Sequence, residues 1–162
     1  MTTVNGLPAH VLLVHAVVVL LPLAAFLLAL TAVSPAARRR LAGPNAILSL
    51  LVVVLVPVTT SAGEWLQNRV PQTALLNHHT ELGDTAIYYA IPIAVLALVV
   101  WWRTREERVA SPGGHTYLAP RSTAVTSLVA VLALIVAAAG VFGIYRIGDS
   151  GARAAWSASA GR

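Results

Sequence analysis

The sequence predicts an all-α integral membrane protein: a single transmembrane domain over residues 1–162, built as a four-helix antiparallel bundle with both termini outside. Three observations carry this. Of the 162 residues, 57% are apolar and 10% charged, and the mean hydropathy is +0.77, too apolar for a fold that must offer water a polar surface. Four stretches, at about residues 11–33, 46–63, 85–102 and 123–145, each suffice to cross a hydrocarbon core of roughly 30 Å. They read as helices, because spanning strands would alternate in polarity and these runs do not. Finally, of the 11 basic residues, all Arg, Arg38, Arg39 and Arg40 lie between the first two stretches, and Arg103, Arg105, Arg108 and Arg121 between the last two. Short Arg-rich loops stay in the cytoplasm. The chain is expected to cross its membrane four times, with these loops inside.

The first stretch reads as a retained helix: no Lys or Arg precedes it, and it is longer than the apolar region of a signal peptide. It carries His10 and His15, about 140° apart around the helix, with His15 roughly 7 Å deeper. A polar side chain at that depth is expected to face the interior, either hydrogen-bonded to a neighbouring helix or as a ligand. His10, just after Pro8, reads as interfacial.

The second stretch closes with "TSAGEWLQN". Its Glu64 comes to the height of the histidines ahead of the third stretch, either solvated or as a ligand or acceptor that fixes an imidazole tautomer.

The third opens with "LLNHHTELGD". Asn77 or Thr80 can cap this helix, and Glu81 and Asp84 suit its positive end. His79, Gly83, Ala86 and Ala90 form a stripe of small residues beneath one imidazole, while His78, Glu81, Thr85 and Tyr88 fall on a neighbouring face. The stripe leaves room either for a bulky planar group or for another helix. Trp101 and Trp102, just before Arg103, suit an inner aromatic belt, and Trp65 and Trp156 an outer one.

The fourth carries Ala139 and Gly143 at the small-xxx-small spacing that lets helices approach closely, and is expected to close the bundle around a polar pocket formed by the outer halves of the first three helices. Beyond it, "YRIGDSGARAAW" reads as a turn or re-entrant segment, with Arg146 paired to Asp149. Pro22, Pro57 and Pro92 are expected to kink three spans. The loop "SPGGHTY", with His115, reads as a turn.

Composition also excludes chemistry. Without Cys there are no disulfides, thiolate sites or covalently attached haem. Signatures of nucleotide hydrolysis, ester hydrolysis and zincin proteolysis are missing, so no independent catalytic activity is expected. The basic balance does not imply nucleic acid, for no soluble basic face remains.

Taken together, "GLPAHVLLVHAVVVLLPLA", "SAGEW", "HHTELGD" and the closing "GDSGARAAW" resemble the bacterial membrane family of domain of unknown function 2231, over nearly the whole chain. The resemblance implies four transmembrane helices. Because some members are fused to Rieske-type iron–sulfur domains, it also implies a redox setting. The matching positions are His10, His15, Glu64, His79 and Gly83; where members often show a His in the closing motif, this chain has Asp149.

Three functions use these same residues. The first is a b-type haem near the outer face, held by His15 and His79, with His10 and His78 as substitutes and Gly83 giving room, for electron transfer with redox proteins. The second is zinc or copper held by His78, His79, Glu64, Glu81 or Asp84. The third is an accessory bundle in a larger membrane complex, without a cofactor.

Overall fold

The computed structural model describes residues 3–4, 7–109 and 122–160. A short antiparallel ladder pairs β1 (Thr3–Val4) with β2 (Leu7–Pro8); the other elements are helices: α1 (Ala9–Val33), α2 (Pro35–Gln67), α3 (Ala74–Asp84), α4 (Ala86–Val109) and α5 (Thr123–Ala160). Only Thr85 separates α3 from α4, and its hydroxyl donates to the Leu82 carbonyl at 2.6 Å. The two run as one span, giving four that are long and apolar enough to cross a membrane: Ala9–Val33, Pro35–Gln67, Ala74–Arg108 and Thr123–Trp156. The start of α1 and the end of α5 therefore lie at one end of the bundle. The turn expected around His115 lies outside the described residues.

Each helix after the first extends beyond its apolar run, for a local reason. α2 begins at Pro35 and not near residue 46. Ser34 is extended (φ −108°, ψ 113°), its hydroxyl accepts from the Ala37 N–H at 3.3 Å, and Pro35 suits the first helical position. The expected arginine loop is thus the first turns of a helix. Arg38 reaches back to donate to the Thr31 and Ala32 carbonyls at 3.0 and 2.8 Å, satisfying the last turn of α1. α3 is capped by Thr73, whose hydroxyl accepts from the Leu76 N–H at 3.2 Å, and not by Asn77 or Thr80.

α5 continues as helix through Gly148, Asp149 and Gly151, where a turn was expected. Two contacts of helical spacing suit that conformation: Asp149 pairs with Arg153 at 2.9 Å, and not with Arg146, and the Ser150 hydroxyl donates to the Ile147 carbonyl at 2.8 Å. The helices also run on through Pro22, Pro44, Pro57 and Pro92.

α1 packs against α2, α5 and α4, so its inner stripe of Leu21, Ala24, Ala25 and Leu28 is fully buried. Between lipid-embedded helices apolar area gives little net drive, and close packing and polar contacts hold the bundle. α5 packs closely on α4 through two glycines. A Cβ on Gly140 would lie 2.7 Å from Ile93 Cδ1, and one on Gly143 would overlap the Tyr89 ring. Ala139 is exposed, so Gly140 takes the place expected of it. Between α1 and α2, buried Asn45 bridges the α1 backbone, its amide nitrogen donating to the Ala24 carbonyl and its oxygen accepting from the Leu28 N–H, both at 3.2 Å.

The end of the bundle away from the histidines is arginine-rich. Arg103 is buried and donates to the Thr126 hydroxyl at 2.7 Å, Arg108 donates to the Arg39 carbonyl, and Arg105 lies 5.7 Å over the Trp101 ring.

Candidate functional site

The start of α1, the end of α2, α3 and the end of α5 meet at one end of the bundle, and two histidines are seated there. His10 begins α1 on the stripe that continues, seven, eleven and eighteen residues on, through Val17, Leu21 and Leu28. It faces α2, where its Nδ1 lies 3.1 Å from the Thr59 carbonyl. A carbonyl oxygen only accepts, so Nδ1 carries the proton and donates. The neutral ring then keeps its lone pair on Nε2. Gly63 makes the seat: a Cβ there would stand 2.9 Å from His10 Cε1.

His79 repeats this arrangement on α3 against α5. Its Nδ1 lies 3.0 Å from Ser150 Oγ, and that hydroxyl already donates to the Ile147 carbonyl. The serine oxygen therefore accepts, the proton sits on Nδ1, and Nε2 is again the bare nitrogen. Gly151 is its seat: a Cβ there would lie 2.9 Å from His79 Cε1. His10, on α1 against α2, and His79, on α3 against α5, are thus both turned into the same end of the bundle. One turn along α3 from His79, a Cβ on Gly83 would meet nothing within 4 Å, so the surface there is open.

His15 is placed otherwise than expected. It is exposed, on the outward stripe with Val19, Leu23 and Phe26, and its Nδ1 donates to the Val11 carbonyl of its own helix at 2.6 Å. The reason is geometric: its 140° offset from His10 points it outward once the His10 stripe takes the interior. The expected pair His15 and His79 is therefore not brought together, and the partner nearest His79 in kind and setting is the substitute, His10.

The residues of the zinc or copper reading do not assemble either. His78, Glu64, Glu81 and Asp84 are exposed, and among the described residues no three His, Asp or Glu side chains come together as a metal cluster. α3 presents His78 and His79 about 100° apart, so only His79 turns inward.

A polar pocket lies between α3, in the third span, and α5. It is a cavity of about 160 Å³, with Leu75, His78 and Leu82 on the α3 side. The α5 side is formed by Tyr145, Arg146, Asp149, Ser150 and Arg153. A larger, shallower groove of about 490 Å³ follows the α2 surface from Pro57 to Trp65, and the Arg69 guanidinium lies 3.8 Å over the Trp65 ring.

Thr59, Gly63, Ser150 and Gly151 are the supporting residues that sequence reasoning misses. Gly63 precedes Glu64 and Gly151 follows Asp149, so attention to charge passes over both. The heptad count from Leu21 back to His10 would find the inward imidazole, and the seven-residue step from Gly143 to Ser150 would find its counterpart on α5.

No curated protein and no solved structure matched the chain. The model of one family, described as predicted membrane protein DUF2231, matches residues 6–162, and the chain belongs to that family.

Proposed function

We propose that the chain is a multi-pass protein of the bacterial plasma membrane, and that His10 and His79 hold a b-type haem at its outer face for electron transfer. The observation that supports this is the pair of fixed tautomers: each imidazole has its Nδ1 proton held by a backbone carbonyl or a serine oxygen, leaving Nε2 as the donor. Ligating histidines are commonly oriented in this way. The number of ligands favours haem over zinc. Porphyrin provides four of the iron's ligands, so two imidazoles complete the set, whereas zinc takes three or four donors from the protein. Open space at Gly83 is in keeping with a planar group beside His79. When bound, haem iron would supply one-electron chemistry; Thr59 and Ser150 would keep both rings in the ligating tautomer, and Gly63 and Gly151 would let them lie flat against α2 and α5.

The second reading, an accessory bundle without a cofactor, is favoured by the cavities. Neither of the two described above is lined by His10 or by His79, so neither is a space held open for a porphyrin between them. The absorption spectrum of the protein purified from haem-sufficient cells decides between the readings. The haem reading expects a Soret band, sharp bands on reduction, and their loss in His79→Ala; a colourless protein leaves the accessory reading.

A further inference from the structure

We infer that the cavity between α3 and α5 binds the phosphate group of an anionic amphiphile, with Arg146 as its principal contact. The charges that face the cavity do not cancel. Arg153 is neutralised by its 2.9 Å bridge to Asp149, whereas Arg146 has no ion pair or hydrogen bond among the described residues. A guanidinium can bind two phosphate oxygens at once, and such charge-assisted pairs are among the stronger polar contacts. His78, on the opposite wall, adds a ring nitrogen with no hydrogen bond among the described residues.

The walls suit the rest of such a molecule. Leu75, Leu82 and Tyr145 line the same cavity, so an apolar tail leaving it has apolar side chains to lie against. Tyr145 closes the apolar run of α5 and Arg146 opens its charged one, which puts the cavity at the boundary between hydrocarbon and headgroups. Aromatic residues concentrate at that level, and Tyr145, which lines the cavity, is 68% exposed. The volume of about 160 Å³ equals roughly five waters, enough for one phosphate group.

The phosphate could belong to a lipid or be free in solution, and one experiment separates these sources. The full-length protein in detergent is stripped of lipid and titrated with phosphatidylglycerol, with diacylglycerol of the same chains, or with inorganic phosphate, and bound molecules are counted by native mass spectrometry. Phosphatidylglycerol is expected to be retained and diacylglycerol not. Arg146→Gln should weaken the lipid about tenfold, as loss of a charge-assisted contact does, while Arg69→Gln, the same charge change at the same end but outside the cavity, should leave it within about twofold. Binding of inorganic phosphate that depends on Arg146 and displaces the lipid would uphold the phosphate site and make the free anion its ligand. Equal retention of the two lipids, or equal weakening by Arg146→Gln and Arg69→Gln, would overturn the proposal.

Discussion

Single polar residues inside this bundle are of two kinds, and the difference is measurable. Asn45 is 1% exposed and satisfies both its amide groups on the α1 backbone, whereas the Ser49 hydroxyl, one turn on, is equally buried and has no partner among the described residues. Removing a satisfied interhelical amide in a membrane costs about 1 kcal/mol; removing an unsatisfied hydroxyl restores a lost desolvation term. Asn45→Ala is therefore expected to lower unfolding stability in detergent by about 1 kcal/mol, and Ser49→Ala to leave it unchanged or raise it. An equal loss in both would show that Ser49 has a partner. At this scale the sequence is least legible. His15 looks buried because of its depth, but depth along a helix says nothing of direction around it, and direction decides which imidazole meets a neighbour.

Among the elements, α5 differs most from its sequence reading. Its glycines read as close packing at Gly143 and as turns at Gly148 and Gly151, yet all three are helical, and Gly143 and Gly151 each admit a ring from another helix. Glycine punctuates a soluble chain because it loosens the backbone. In a lipid-embedded helix the backbone has no water to turn to, so glycine serves close approach instead. Gly143→Ala puts a methyl group into Tyr89 and is expected to cost about 1–3 kcal/mol, the usual range for overpacking, seen as a lower thermal midpoint. Gly148→Ala, where a Cβ meets nothing within 4 Å, should be neutral or slightly stabilising. Equal effects at the two positions would contradict the packing of α5 on Tyr89.

The architecture of the whole molecule is the level most open to sequence reasoning, because it follows from four apolar runs of membrane length and the physics of backbone groups in lipid. The four spans, and the collection of His10, Glu64, His78, His79 and Asp149 at one end, follow from counting crossings. Which end faces out depends on the arginines at 38–40 and 103–108 staying inside. Cys at Ala36 should resist a membrane-impermeant thiol reagent in intact cells, and Cys at Gln72 should react; the opposite pattern would put the histidine end in the cytoplasm. The remainder of the site, with Ser150 behind His79 and Thr59 behind His10, depends on contacts 71 and 49 residues apart, which no local pattern announces.

We propose His10 and His79, and not His15, as the paired ligands at this end. The reduced-minus-oxidised absorption spectrum of His10→Ala beside His15→Ala tests this pairing most directly, because both variants remove one imidazole from the same helix. The sharp low-spin bands should vanish in His10→Ala and persist in His15→Ala. Bands that survive in His10→Ala and vanish in His15→Ala would contradict the pairing, and an absence of bands in the unaltered protein would contradict the claim that the pair holds haem.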